Sequence, residues 1–125
     1  MNVPSNLLFT KDHEWIKIEG EEALIGITDY AQSELGEIVY VELPAVGDAI
    51  AIEKPFGTVE AVKAVSDLFM PVSGEVLNTN PLLEEKPELI NEDPYGEGWM
   101  IRIKLNNPAD IDSLLSPEAY TQHIQ

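Results

Sequence analysis

Three stretches of this chain alternate apolar and polar side chains with a period of two, the mark of strands that bury one face and wet the other. In the run from Trp15 to Glu19, Ile16 and Ile18 stand against Lys17 and Glu19; Val39, Val41 and Leu43 stand against Tyr40 and Glu42; Ile101, Ile103 and Leu105 stand against Arg102 and Lys104. Further short strands are predicted over Ala23 to Ile27, Ala49 to Glu53, Thr58 to Val62 and Glu75 to Asn78, with Gly20, Gly47, Gly57 and Gly74 at the turns. A chain of 125 residues can bury one modest core. So many short strands around one core predict a mainly β fold, a sandwich or barrel of antiparallel strands forming a single domain over residues 1-125.

Helical signals interrupt the strands. Asp29 followed by Gln32 reads as a capping pair, with Gly36 as the stop of a two-turn helix that buries Tyr30 and Leu35. Asn80-Pro81 opens a short turn that Pro87 cannot continue. Two helical segments are predicted at the end, Asp110 to Leu115 and then Glu118 to Ile124 behind Ser116-Pro117, packing through Ile111, Leu114, Leu115 and Tyr120.

The segment from Val59 to Val76 holds one lysine, Lys63, between Val62 and Ala64, flanked by Glu60 and Asp67. β-branched residues enter and leave it and a Pro71-Val72-Ser73-Gly74 turn closes it, so Lys63 is predicted at the tip of a hairpin, pointing into water. A solvated surface lysine is the commonest fate of any lysine. The same placement is what a covalent cofactor carrier needs: an attachment point that is exposed, rigidly presented and free of neighbours that would bury an arm. A lysine amine in water is charged at neutral pH, so a modifying enzyme has to supply the base that frees it to attack an activated acyl group.

Leu43-Pro44-Ala45-Val46-Gly47-Asp48-Ala49-Ile50 and Met70-Pro71-Val72-Ser73-Gly74-Glu75-Val76-Leu77 share the pattern apolar, Pro, apolar, any, Gly, acid, apolar, apolar. Pro-x-x-Gly is also ordinary turn chemistry. With the lysine between the two copies, the echo suits a quasi-two-fold sandwich with the hairpin at one end.

Charge and composition exclude other classes. With 23 acidic side chains against 7 basic ones the formal net charge is -16, and a nucleic-acid backbone would be repelled. No apolar run reaches membrane-span length, and the first residues carry neither a secretory signal nor an arginine-rich presequence. The expected setting is the cytoplasm, or the mitochondrial matrix for a processed eukaryotic protein. Cysteine is absent, so there is no disulfide, thiolate nucleophile or cysteine metal site. His13 and His123 lie far apart and have no local partner at metal-ligand spacing; His13 reads as a surface or turn residue and His123 as part of the terminal helix. No Gly-x-Ser-x-Gly elbow positions a serine nucleophile.

The lysine segment, with Gly57 ahead of it and Gly74 beyond, resembles the lipoyl-lysine region of the H-protein family of the glycine cleavage system. Four further blocks resemble the family in the right order: Thr10-Lys11-Asp12-His13-Glu14-Trp15, Ile25 to Gln32, Leu35 to Pro44, and Gly98-Trp99-Met100-Ile101. The resemblance implies a hybrid barrel-sandwich with the lipoyl-lysine hairpin, short helices and a C-terminal helix. It implies lipoate amide-linked to Lys63 and no catalysis by the carrier alone. Implied partners are the pyridoxal-phosphate glycine decarboxylase (P protein), the tetrahydrofolate-dependent aminomethyltransferase (T protein), dihydrolipoamide dehydrogenase (L protein), and a lipoyl ligase or lipoyl/octanoyl transferase. The family also implies a cleft that receives the loaded arm, to which Glu14 is carried over as a carboxylate able to pair with an ammonium, with Asp67 as a second candidate. Glu60 and Asp67 are candidates for ligase or partner recognition.

Departures from the family are Ala61 in place of a serine, Val65 in place of a smaller residue, Met70 where serine commonly precedes the proline, and Pro55 where glycine is frequent. They leave open an H-like lipoyl donor serving 2-oxoacid dehydrogenase complexes. A biotinyl carrier typically brackets its lysine with methionines, whereas Val62 and Ala64 stand here. A lipoyl domain of a 2-oxoacid dehydrogenase usually has aspartate before the lysine and flexible linkers, and neither is present. An unmodified acidic interaction module is the remaining alternative.

Overall fold

In a computed structural model, which describes residues 2–125, nine strands form two antiparallel sheets that face each other across one apolar core. The strands are β1 (Leu8–Phe9), β2 (Glu14–Glu19), β3 (Glu22–Ile27), β4 (Ile38–Glu42), β5 (Ala49–Ile50), β6 (Pro55–Ala61), β7 (Val65–Phe69), β8 (Gly74–Thr79) and β9 (Ile101–Leu105). One sheet has the order β1-β2-β3-β9-β8-β5 and the other β4-β6-β7. Both sheets keep open edges, so the architecture is a sandwich and the barrel component is not closed. Ile16, Ile25, Ile101 and Ile103 from the larger sheet meet Ile38, Val59, Ala61 and Leu68 from the smaller, all buried. Ile16, Ile101 and Ile103 are inward positions of the predicted alternation, and burial of this apolar face is the main favourable term holding the sheets together.

The period-two pattern fails in β4. A bulge between Ile38 and Tyr40 slips the register, so Ile38 is buried while Val39 is 47% exposed. Gly57, expected at a turn, lies inside β6, whereas Gly74 opens β8 directly after the Pro71–Ser73 bend. At Gly57 the Glu42 carbonyl occupies the space a β carbon would need, so glycine there permits close strand approach rather than a turn. The strand expected over Ala49 to Glu53 stops at Ile50, and Glu53 has left-handed backbone (φ 68°). The two copies of the sequence echo pair with each other: Ala49 opposes Glu75 and Ile50 opposes Gly74, while Gly47 N–H donates to the Val76 carbonyl and Val76 N–H to that of Asp48.

Four short helices complete the described residues: α1 (Asp29–Leu35), α2 (Leu82–Glu85), α3 (Leu89–Glu92) and α4 (Pro117–His123), with a 3-10 helix over Pro108–Ser113. The cap of α1 is Thr28 rather than Asp29; its hydroxyl accepts from Ala31 N–H at 3.1 Å, while Gln32 donates to the Asp29 side chain. Tyr30 and Leu35 are half-buried, because α1 also forms one side of a surface cleft. The segment expected as a helix from Asp110 is the 3-10 turn, starting at Pro108 behind an Asn107 cap. Ser116 caps α4 with Pro117 in its first turn, as the sequence predicts, and Tyr120 is fully buried.

Candidate functional site

The hairpin β6–β7 turns over at Val62-Lys63, closed by the Ala61 N–H donating to the Ala64 carbonyl at 2.7 Å. Val62 N–H donates to the Glu37 carbonyl at 3.1 Å, which fixes the tip against the chain that follows α1. Lys63 is exposed at this tip, beside Val62 at 72% and Val65 at 66% exposure. Its side chain runs across Gly36, the last-turn cap of α1. Gly36 has φ 85° and ψ -156°, a conformation essentially reserved for glycine, so one residue both ends the helix and clears a path for the lysine.

Along α1 from that point runs a cleft of about 260 Å³. Its walls are the β1–β2 turn (Asp12, His13) with Glu14 at the start of β2, α1 with the residue before its cap (Ile27, Tyr30, Ala31, Glu34, Leu35), and the hairpin strands (Val59, Ser66, Asp67, Leu68). The structure therefore brings Glu14 and Asp67 to one cleft and sets Lys63 over the end of the helix that walls it. Glu60 is exposed, paired opposite Tyr40 and Val65, and does not line the cleft. A larger open groove of about 510 Å³ lies between β4 and the Thr79–Pro87 segment, and none of Lys63, Glu14 and Asp67 lines it.

Glu14 is only 2% exposed. Its Oε1 accepts from the Thr10 hydroxyl at 2.6 Å and its Oε2 takes a long contact of 3.4 Å from the Phe69 N–H. Burial pushes its carboxyl up to about 7, against the opposing pull of the Thr10 and Phe69 hydrogen bonds and with a small further push from Asp12. At neutral pH it is thus poised between acid and carboxylate, and a cation entering the cleft would draw off its proton. Asp67 is exposed on β7, so an ion pair there is screened by water.

His13 is the residue that the sequence undervalued. It is a turn residue, as read, with left-handed backbone (φ 71°), but it is half-buried and its ring lines the cleft. Burial lowers its pKa, and the nearby His123, whose ring centroid is 5.6 Å away, acts in the same direction, with Asp12 and Glu34 opposing. Folding brings the two histidines together, although no group of three or more metal-binding side chains converges among the described residues. No local signal marks Tyr30 or Glu34 as cleft residues either; their place follows from helix periodicity once α1 is docked.

Of the four family departures, Ala61 and Met70 are buried and beyond the reach of a docking partner, whereas Val65 and Pro55 are exposed. Among the described residues, no helix is long and apolar enough to cross a membrane.

Comparison with known proteins agrees with this geometry. The family described as glycine cleavage H-protein matches residues 7–125. The glycine cleavage system H protein of Bacteroides fragilis is 56% identical over 120 residues, covering 96% of this chain and 95% of its own. That of Halothermothrix orenii is 53% identical over 125 residues, covering 100% of this chain and 98% of its own. Among solved structures, a glycine cleavage system H protein from Mycobacterium marinum superposes with a TM-score of 0.89 at 35% identity, over 96% of this chain and 97% of that one.

Proposed function

The chain belongs to the glycine cleavage H-protein family, whose members are non-catalytic lipoyl carriers, and from that premise we propose that residues 1–125 form one carrier domain with lipoate amide-linked to Lys63. The observation that carries this reading is the placement of Lys63 at an exposed two-residue hairpin tip, across Gly36 at the end of the helix that walls the cleft lined by Glu14. Bound lipoate would supply a disulfide that accepts the aminomethyl group of decarboxylated glycine as it is reduced. The chain's own residues do the rest. The hairpin presents the arm to the P protein, the T protein and the L protein in turn, and to the lipoyl ligase or transferase that installs it. The absence of cysteine leaves no thiol in the chain to compete in disulfide exchange.

Between enzymes the cargo has to be kept from water. Attack by one water would release the carbon as formaldehyde and the nitrogen as ammonia, its two hydrogens going to nitrogen and sulfur. Glu14, buried at the cleft wall, gives the cargo's ammonium a carboxylate in a site with restricted solvent, where the pair is stronger than at the surface. Asp67, exposed at the opposite wall, adds a weaker attraction.

The test is transfer of the labelled methylene carbon of glycine to the carrier by a P protein. Lipoylated wild type should take up label and Lys63→Arg should not, because a guanidinium keeps the charge but cannot be acylated in this way. A lipoylated wild type that accepts no glycine carbon but donates lipoyl groups to 2-oxoacid dehydrogenase domains would replace this function with the relay alternative.

A further inference from the structure

The hydroxyl of Tyr120 touches two walls of the cleft at once. It lies 2.9 Å from Nδ1 of His13, on the β1–β2 turn, and 2.7 Å from Oγ1 of Thr28, the cap of α1. Its ring is fully buried and stacks on Phe9 with centroids 4.7 Å apart and planes at 9°. A second residue of α4 grips the same turn, His123 Nε2–H donating to the Lys11 carbonyl at 3.0 Å. The turn needs holding, because His13 is a non-glycine residue in left-handed backbone, a strained conformation that persists only where the surroundings impose it. The cap needs it as well. Thr28 Oγ1 already accepts from Ala31 N–H, so its position sets the start of the helix that forms the cleft's second wall.

We propose that Tyr120 is a positioning residue for the cleft: its hydroxyl ties the His13 turn to the α1 cap and so fixes the gap in which Glu14 meets the arm's cationic end. The inference rests on the carrier function proposed above and adds to it a role for the C-terminal helix, which otherwise serves only to cover the sheet. The Tyr120 hydroxyl has one proton for two partners, so it accepts from at least one of His13 and Thr28, and phenylalanine can neither donate nor accept. The Tyr120→Phe change keeps the stack on Phe9 and the volume, and strips one partner from each of His13 and Thr28.

Two measurements test it. Amide hydrogen exchange on unlipoylated protein should show the His13 and Ala31 N–H groups exchanging about tenfold faster in Tyr120→Phe, while the β8–β9 ladder is unchanged. In the second, ammonia release from purified loaded carrier without folate enzyme should be about five- to tenfold faster in Tyr120→Phe, with lipoylation of Lys63 and loading by the P protein intact. His13→Asn, which tolerates left-handed backbone but loses the ring, should shift release in the same direction. Ile101→Val, a core truncation in β9, controls for general loss of stability and should leave both readouts at wild-type values. Wild-type release from Tyr120→Phe, or equal acceleration by Ile101→Val, would overturn the inference and leave the carrier function standing. A wild type that carries no lipoyl group on Lys63 would overturn the function and the inference with it.

Discussion

Lys63 lies across Gly36 so closely that a β carbon on Gly36 would stand 3.2 Å from Lys63 Cε. Gly36→Ala therefore has two consequences. The backbone at φ 85° and ψ -156° is strained for alanine, so unfolding by urea should show a loss of about 1 to 3 kcal/mol. The added methyl also crowds the lysine stem, so lipoylation should slow at temperatures where the protein is still folded. Unchanged stability and an unchanged rate would mean that Gly36 neither strains nor guides.

Glu14 gives the protein a pH signature. Its folded pKa of about 7 lies above its ordinary value of 4.5, so between these values the folded state binds more protons than the unfolded. Its contribution to stability is fully present below about 4.5 and is lost as pH rises through 7, by as much as about 3 kcal/mol. His13 works the other way, since its lowered pKa removes stability as pH falls below 6.5. Subtracting the stability curve of Glu14→Gln from that of wild type isolates the first effect. A flat difference between pH 4.5 and 7 would contradict a buried, protonated Glu14.

The same carboxyl should govern retention of cargo. Glu14→Ala should release ammonia from the loaded carrier at least about tenfold faster, because a buried charge loses its partner. Asp67→Ala should change release by less than about fivefold, as exposed pairs contribute roughly 0 to 1 kcal/mol. Equal release from wild type and both variants, at equal loading, would return both residues to the ordinary acidic surface.

Docking should respond to salt. Under the proposed function several enzymes dock on one small carrier of formal net charge -16, so their association should be steered by basic rims on the partners. With a screening length of about 8 Å at physiological ionic strength, binding to the P protein should weaken by roughly an order of magnitude across a series from low to high salt. A salt-independent affinity would assign the acidic surface to solubility alone.

What the sequence disclosed depended on how local each signal was. Ile16 with Ile18 and Ile101 with Ile103 revealed their strands, because each faces the core along an unbroken pleat. β7 is implied in the sequence only as the return arm of the Lys63 hairpin and carries no apolar alternation of its own, since Val65 and Asp67 are exposed and only Leu68 is buried. β1 has two residues and exists through its partners, Ile16 and Trp15 on one side and Leu115 on the other. Lys63 was legible because its hairpin is marked by its own neighbours, whereas Glu14 entered through family resemblance. The contact of His13 with Tyr120 spans 107 residues and leaves no trace in either neighbourhood.

The carrier assignment stands or falls on Lys63. Intact mass of protein expressed with and without lipoate, followed by peptide mapping, measures it directly. A single lipoyl increment that appears only with lipoate, maps to Lys63 and vanishes in Lys63→Arg is the predicted result. No increment, or one that maps to Lys54 or Lys86, would contradict it.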